Sequence, residues 1–381
     1  MKKDTRFVGL DVHAETISVA VVELDGEIRS WGSIPNRPEA VRRLVKRLGR
    51  AEQLRACYEA GPTGYVLYWQ LTALGVPCEV IAPTLVPQKP GDRVKTDRRD
   101  AEKLAVLLSG GHLTPVWVPD AGHEALRDLV RAREAAKRDQ LRARHRLHKF
   151  LLRQGRRAPM GIKAWTEKHL QWVRRTVRFE WAAQEAVLLD YLTEVDHAHD
   201  RIARLERDLD AAVGAAPERM RAVIRALQAL RGVALVSAAT IVAEVGALSR
   251  FARARQLMGY SGMVSREDSS GGRVRRGSIT KTGNAHLRRI VGEAAWCYRH
   301  RPAVGAALRK RQEGLGEEVK AIAWKAQHRL CSRYRRLLAK GKTKQQVATA
   351  VARELLGFIW AIGVQVEQAH TPVRVQRRRA A

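Results

Sequence analysis

The chain has 381 residues, of which 70 are Lys or Arg and 39 are Asp or Glu, giving a formal charge of +31 at pH 7. This charge excludes an ordinary acidic enzyme and favours a polyanionic partner, because Lys and Arg that neutralise phosphates release condensed counterions. Hydrophobic residues make up 45% of the chain, enough for two or three domains that each bury a core. The composition therefore predicts a multidomain protein that binds nucleic acid.

Neither a membrane span nor a disulfide scaffold is expected. The longest apolar run, residues 232–243, is well short of the roughly 20 residues that cross a bilayer. The first apolar run is broken by Asp11 and His13, so no secretory signal forms. The four cysteines are scattered without metal-ligand spacing. These features favour a reduced cytoplasm.

The first part of the chain, to about residue 110, has a mixed α/β pattern. Asp25-Gly26 and Pro35-Asn36 are turn signals that join three strands into an antiparallel meander. Strands and helices then alternate, which predicts a single mixed sheet. The expected strands are 7–12, 16–23, 28–34, 54–58 and 78–81, and the expected helices are 38–48, 65–74 and 97–108.

The remainder of the chain has a helical pattern. Segments 121–157 and 187–213 carry apolar residues at helical spacing among many charges, which predicts paired helices or a coiled coil. From about residue 217 the pattern is compact, interrupted by a polar, Gly-rich loop at 265–283. Helices are expected at 317–338 and 343–360, the second opened by a capping box of Thr343 and Gln346.

Four carboxylates are candidates for one metal centre. Asp11 lies in an apolar strand, where a carboxylate is costly to bury without a cation. Glu59 ends a later strand, and Asp97 and Asp100 share one helix face. Hard cations such as Mg²⁺ prefer oxygen ligands, and two ions can clamp both oxygens of a phosphodiester displacement.

Each of these residues also has a purely structural interpretation. Asp97 and Asp100 could be the N-cap and N3 residues of a helix. Asp11 could end its strand beside a turn, and Glu59 could be solvated. His13 is expected to be a strand-end or loop residue rather than a metal ligand.

The loop at 265–277 is the second candidate site. Its glycines would let the backbone approach a phosphate, and its arginines offer planar forks that hold phosphate oxygens. A serine there could act as nucleophile and keep the energy of the cleaved bond in a phosphoseryl bond. The alternative is a simple hairpin turn.

Two further segments could contact phosphates. Residues 230–239 are similar to a helix-hairpin-helix motif, although Ala234 stands where a second glycine is usual, so a tight helix connection is the alternative. Residues 281–284 open a helix that would form a phosphate seat or a solvated basic face with His286, Arg288 and Arg289.

Over nearly its full length the sequence resembles the DEDD-class insertion-sequence transposases. The relatives of this family include the pilin gene-inverting recombinases, and its members act as bridge-RNA-guided DNA recombinases. Its metal-binding tetrad occurs in a GLD strand, an E-A-G strand end and a KTDxxDA helix, matched here by residues 9–11, 59–64 and 95–101. Its serine loop, a serine before glycine and then a G-x-I-T-K-x-G signature, is matched by Ser270-Gly271 and residues 277–283, with Ser269 as the alternative serine.

The resemblance implies an α/β plus all-α protein with four regions. These are an RNase H-like (RuvC-type) metal-binding domain at 1–120, a basic helical or coiled-coil region at 121–215, a helical transposase domain with the Gly-rich serine loop at 216–370, and a basic tail at 371–381. It implies that two Mg²⁺ ions are held by Asp11, Glu59, Asp97 and Asp100, and that Ser270 is the nucleophile. The residues expected to contact phosphates or nucleic acid are Arg266, Arg273, Arg275, Arg276, Lys281, Arg288 and Arg289.

The implied partners are DNA at the element ends and target, a structured guide RNA and further copies of the chain in a dimer or tetramer. The carboxylate domain of one protomer would meet the serine domain of another. Two other functions remain open: a RuvC-like metal-dependent nuclease that uses water as nucleophile, and a non-enzymatic basic protein that binds nucleic acid.

Overall fold

The computed structural model describes residues 4–87 and 96–370. The chain divides into two compact units, Met1–Val118 and Pro119–Ala381. Lys95 of the KTDxxDA segment and the basic tail from residue 371 onward lie outside the described residues.

The first unit is built on one mixed sheet. Its strands β1 to β5 are Arg6–Val12, Thr16–Val22, Ile28–Pro35, Leu54–Glu59 and Cys78–Ile81. Its α-helices, α1 to α3 in the described part, are Pro38–Leu48, Val66–Ala73 and Asp97–Ser109. The strand order is β3-β2-β1-β4-β5, with antiparallel pairing from β3 to β1 and parallel pairing from β1 to β5. The predicted meander followed by alternating strands and helices is confirmed.

The two faces of this sheet are covered by different helices. On one face, apolar residues of α1 and α2 pack against strand residues such as Val8, Leu10 and Tyr58. On the other face, α3 contributes Leu104 and Leu108, which cluster with Cys57 and Ile81. Both faces are therefore buried, as the apolar strands require.

Helix α3 crosses β1 at very short range, and Gly9 permits this approach. A Cβ at Gly9 would lie 2.1 Å from the carbonyl oxygen of Ala101 and 2.4 Å from the amide nitrogen of Ala105. Since side chains alternate between the faces of a strand, Asp11 lies on the same face as Gly9. The start of α3 is therefore directed toward the carboxyl end of β1.

The second unit is mostly helical. Its α-helices, α4 to α13, are Ala121–Arg153, Glu167–Arg175, Ala182–Ala215, Glu218–Leu227, Leu235–Val245, Ala254–Tyr260, Ala285–Ala295, Ala306–Gln312, Glu317–Ala339 and Lys344–Ala369. Strands β6, Ser265–Glu267, and β7, Arg276–Ile279, form an antiparallel hairpin between α9 and α10.

Helices α4 and α6 form an antiparallel pair. The rings of Phe150 and Tyr191 lie 5.7 Å apart near one end, and Arg133 donates to Glu206 at 2.9 Å toward the other. The expected pairing is confirmed. The apolar stripe of α6 contributes Leu188 to a small core with α5 and Leu209 to the main core, so it does not form one continuous coiled-coil seam.

Helix α13 completes the main core. By length and composition it could cross a membrane, with a mean hydropathy of 1.6 over its most apolar window, but half of that window is buried inside the unit. Val351, Leu355 and Ile359 are fully buried among other helices. We therefore describe α13 as a core helix.

Candidate metal centre and serine hairpin

The carboxyl ends of β1 and β4 bring two of the candidate acids to one edge of the sheet. The parallel register pairs Leu10 with Tyr58, so Asp11 and Glu59 each follow this pair by one residue. Asp11 lies on the face of Gly9, and Glu59 lies on the face of Cys57. Both of these faces pack against α3, so the two acids share the side of the sheet that α3 covers.

Helix α3 begins beside this edge. Its N-cap is Thr96, whose hydroxyl accepts from the amide of Arg99 at 3.3 Å. The interpretation of Asp97 as the N-cap is therefore wrong, because Asp97 is the first residue inside the helix. Asp97 and Asp100 both lie in the first turn, where the helix dipole favours negative charge.

Asp11 and Asp97 approach each other across His13. The Nε2 atom of His13 lies 3.2 Å from Oδ2 of Asp11 and 3.5 Å from Oδ2 of Asp97. Burial raises the pKa of Asp11, His13 lowers it, and the charges of Asp97 and Asp100 raise it, leaving it above its ordinary value. Three negative charges thus act on one another at this edge, with a single imidazole between two of them.

The donor atoms at this edge fit a divalent cation. One ligand atom from each of Asp11, His13 and Asp97 lies within 4.8 Å of the other two. Ligands that share an ion at bond lengths of about 2.1 Å are separated by roughly 3 to 4 Å, close to the spacings of the His13 pairs. Carboxylate oxygens suit Mg²⁺ or Mn²⁺, and an imidazole nitrogen suits the transition metals. The sequence pattern does not predict His13 to be a metal ligand, because its proximity to Asp97 arises only from the fold.

The serine loop forms an exposed hairpin. The amide of Asp268 donates to the carbonyl of Arg275 at 2.9 Å, and Ser270 and Arg273 form a bridge around a two-glycine turn. Gly271 has a φ of 57°, the left-handed region in which glycine is favoured. The hairpin-turn interpretation therefore describes the local geometry, and it leaves the residues at the tip open to solvent.

The two adjacent serines differ in their surroundings. The Ser269 hydroxyl lies 3.2 Å from a carboxylate oxygen of Glu267 and accepts from the amide of Arg275 at 3.3 Å. Within residues 4–87 and 96–370, the Ser270 hydroxyl has no side-chain or backbone hydrogen-bond partner. Ser269 thus supports the hairpin, while Ser270 is available to a ligand.

The basic residues of the hairpin are also exposed. Arg276 lies 3.4 Å from Glu267. In the described part of the chain, no carboxylate lies within ion-pair distance of Arg266, Arg273 or Arg275. Lys281, just beyond β7, is exposed and has a φ of 57°, which is unusual for a residue other than glycine.

The basic residues of α10 have partners inside the unit instead. Arg288 donates to the carbonyl of Ser261 at 2.8 Å. Arg289 pairs with Glu134 at 3.0 Å and with Glu293 at 2.8 Å. These contacts give both arginines a structural role, and phosphate binding by this helix stays a prediction.

The segment similar to a helix-hairpin-helix motif is a tight turn between α7 and α8. A Cβ at Gly232 would lie 2.5 Å from the carbonyl oxygen of Ala294, and Val233 is fully buried. The glycine therefore permits close packing against α10, as the alternative interpretation expected.

Comparison with known proteins identifies the family. A family model described as "Transposase", of the DEDD type of IS110 elements, matches residues 8–154. A second, described as "Transposase IS116/IS110/IS902 family", matches residues 224–309. The "Putative transposase y4qE" of Sinorhizobium fredii is 45% identical over 95% of this chain and 89% of its own length. The chain belongs to the IS116/IS110/IS902 transposase family.

Two other relatives match at lower identity. The "Transposase for insertion sequence element IS1533" of Leptospira borgpetersenii is 31% identical over 88% of this chain and 97% of its own length. The "Pilin gene-inverting protein" of Moraxella lacunata is more distant, at 24% identity over 71% of this chain and 67% of its own length. The expected DEDD transposase family and the mixed RNase H-like sheet are confirmed for this IS110-family transposase.

Proposed function

We propose that this transposase cleaves and rejoins DNA by Mg²⁺-dependent phosphoryl transfer through a phosphoserine intermediate, guided by a structured RNA. The main support is the carboxylate edge of the sheet. Asp11 and Asp97 approach each other across His13, the charge of Asp100 acts on Asp11, and Glu59 ends the neighbouring strand on the same side.

In this proposal Asp11, Glu59, Asp97 and Asp100 hold two Mg²⁺ ions. When bound, the ions would neutralise charge on the scissile phosphate and orient it. The Ser270 oxygen attacks phosphorus, the bond from phosphorus to a deoxyribose oxygen breaks, and that oxygen leaves as a hydroxyl. The proton lost by Ser270 passes to solvent and the leaving oxygen takes one from solvent. A deoxyribose hydroxyl from another strand then reverses the step, so no ATP is needed.

The surroundings of the serine hairpin support this assignment. Ser270 is solvent-exposed, whereas the Ser269 hydroxyl takes part in the hairpin's own hydrogen bonds. Arg266, Arg273 and Arg275 are exposed and would steady phosphate oxygens as planar forks.

The partners follow from charge and from the resemblance. A charge of +31 suits long contacts with DNA and RNA backbones. At the tip of the α4–α6 pair, Arg156 lies over the half-buried ring of Phe179, 5.3 Å from its centroid, and Trp181 nearby is 71% exposed. Aromatic rings stack on unpaired bases, so this tip suits single-stranded segments of a guide RNA.

Covalent trapping tests the proposal. Wild-type protein, Asp11→Asn, Ser270→Ala and Ser269→Ala would be incubated with element DNA, flanking transcript and Mg²⁺, and denatured products examined for protein joined to DNA. We expect an adduct with wild type and Ser269→Ala and none with the other two. Cleavage by Ser270→Ala would instead establish the water-dependent nuclease. Salt-sensitive binding without cleavage in any sample would establish the non-enzymatic alternative. For such binding, the slope of log K against the logarithm of the salt concentration is about −0.9 per phosphate contact.

A mixing experiment tests the proposed assembly. If the carboxylates of one protomer act with the serine of another, Asp11→Asn and Ser270→Ala proteins combined before DNA is added should regain cleavage that neither has alone. Absence of any recovery, with mixed oligomers verified by differential tags, would contradict the shared site.

A further inference from the structure

A buried glutamate is hydrogen-bonded to the N-cap residue of α10, the helix that follows the serine hairpin. Glu244 of α8 is 0% exposed and accepts two hydrogen bonds from the Arg131 guanidinium of α4, at 2.8 and 3.0 Å. It also accepts one at 2.7 Å from the side-chain amide of Asn284. Asn284 is the N-cap of α10, and its amide oxygen accepts from Leu287. One asparagine thus joins the start of α10 to α8 and, through Glu244, to α4.

A second glutamate attaches the same turn of α10. Glu134 of α4 is buried, with Oε2 at 2.6 Å from Nδ1 of His286 and Oε1 at 3.0 Å from Nε of Arg289. Burial alone would raise the pKa of Glu134, but its hydrogen bonds to His286 and Arg289 outweigh burial and lower the pKa. The first turn of α10 is therefore tied to the long basic helix α4 at two places.

The backbone between this turn and the hairpin is tightly packed. The amides of Lys281 and Asn284 donate to the carbonyls of Gly262 and Tyr260 at 3.0 and 2.9 Å. A Cβ at Gly283 would lie 2.2 Å from the Tyr260 carbonyl oxygen. Lys281 adopts a φ of 57°, which persists only where the surrounding structure imposes it. A displacement of α10 would therefore be transmitted to β7.

We propose that Glu134 and Glu244 are positioning residues that fix the serine hairpin through the first turn of α10. The inference rests on the proposed function, in which Ser270 is the nucleophile. Neither glutamate contacts the hairpin tip in this arrangement; each acts on it through α10. Placement matters because an error of about 1 Å at a reacting group can cost about 100-fold in rate.

Two conservative substitutions should weaken the contacts between the two glutamates and the first turn of α10 without disrupting the helices. Asn284→Ser keeps an N-cap oxygen for α10 but removes the amide that reaches Glu244. Glu134→Gln keeps the shape of the side chain but removes the charge that holds His286 and Arg289. The matched control is Glu354→Gln, since Glu354 is another poorly exposed carboxylate that holds two arginines, Arg329 and Arg333, at 3.0 and 3.1 Å.

Hydrogen exchange of the amides in 265–283, DNA affinity and the single-turnover rate of adduct formation would be measured for all of these proteins. We expect exchange to be about tenfold faster in Asn284→Ser and Glu134→Gln but not in the control. We expect adduct formation to be about tenfold slower, with DNA affinity within about twofold of wild type.

Unchanged exchange in both variants would overturn the inference, and so would a wild-type rate of adduct formation in a loosened hairpin. Exchange depends on no chemistry, so it also separates this inference from the proposed function. If wild type itself forms no adduct, the proposed function fails, while faster exchange in the two variants still supports the attachment.

Discussion

The carboxylates at the sheet edge of the first unit and the two glutamates beside α10 in the second unit have opposite electrostatics. At the sheet edge, Asp11 has a raised pKa because burial and two neighbouring carboxylates outweigh His13. In the helical unit, burial would raise the pKa of Glu244, but hydrogen bonds from Arg131 and Asn284, together with nearby arginine charge, lower it. The first cluster has negative charge left for a bound cation to neutralise. The second is neutralised within the protein and belongs to the scaffold.

The largest effect expected from this difference is a loss of strand cleavage in the Asp11→Asn protein. Metal ions supply several kcal/mol of charge stabilisation, so we expect strand cleavage to fall by about 1000-fold. The fold should be unaffected or slightly more stable, because the substitution removes a carboxylate that is repelled by its neighbours. Cleavage assays and urea denaturation would measure both quantities. The exposed Glu39→Gln is the control, and a marked loss of stability in Asp11→Asn would contradict the distinction between the clusters.

The opposite result is expected for Glu244→Ala. This substitution leaves Arg127, whose side chain is 5% exposed, and Arg131 without their buried carboxylate. The Arg131 side chain is 44% exposed and can be hydrated in the variant, and Arg127 keeps its hydrogen bonds to the Ala243 carbonyl and its pairing with Glu124. We therefore expect a loss of about 1–3 kcal/mol. Urea denaturation would measure the loss, with Glu218→Ala as the control because that exposed pair should contribute less than about 1 kcal/mol. A loss no larger than the control's would show that Glu244 does not hold the scaffold.

A smaller effect is expected for His13→Ala. If His13 supplies a nitrogen ligand, its loss should weaken Mn²⁺ binding by at least about tenfold, the low end of what hydrogen-bonding partners of metal ligands contribute. Removal of His13 also raises the pKa of Asp11 further, since His13 lowers it. Pulsed electron paramagnetic resonance of bound Mn²⁺ would detect the nitrogen directly. The signal should persist in His199→Ala, and a nitrogen signal that survives in His13→Ala would exclude His13 as its source.

The elements of the first unit could be predicted closely because local signals define them. Turn residues such as Asp25-Gly26 end strands, and the helix predicted at 38–48 begins with Pro38 as observed. Helix ends without such signals were less well predicted. The helix α6 begins at Ala182 instead of 187, because small and polar residues at that end weaken the apolar pattern while remaining compatible with a helix. The helix α13 continues to Ala369 instead of ending at 360, and Ile362 and Val366 of this extension are buried.

The candidate site could be predicted only as far as residue type and order allow. The apolar surroundings of Asp11 and the spacing of Asp97 and Asp100 suggested a metal centre from sequence. The sequence does not reveal that Thr96 caps α3, or that His13 lies between two aspartates. Likewise, Glu134 and Glu244 look like ordinary helix residues until the fold brings Asn284 and His286 to them. Long-range partners have no local pattern, and these are the contacts that sequence reasoning missed.

The smallest expected effect is that of pH, which should act differently on the two clusters. The lowered pKa values of Glu134 and Glu244 mean that their stabilising contribution is complete above the ordinary value of 4.5 and is lost as the pH falls through the lowered values. The raised pKa of Asp11 means that protons compete with a metal ion at a higher pH than an ordinary aspartate with pKa 3.8 would allow. Lowering the pH toward 4.5 should therefore weaken Mn²⁺ binding, by less than about tenfold, before the helical unit loses stability. Calorimetric titration and urea denaturation at matched pH would give both curves. If the helical unit loses stability at a higher pH than the one at which Mn²⁺ binding weakens, the result would contradict the opposite pKa shifts of the two clusters.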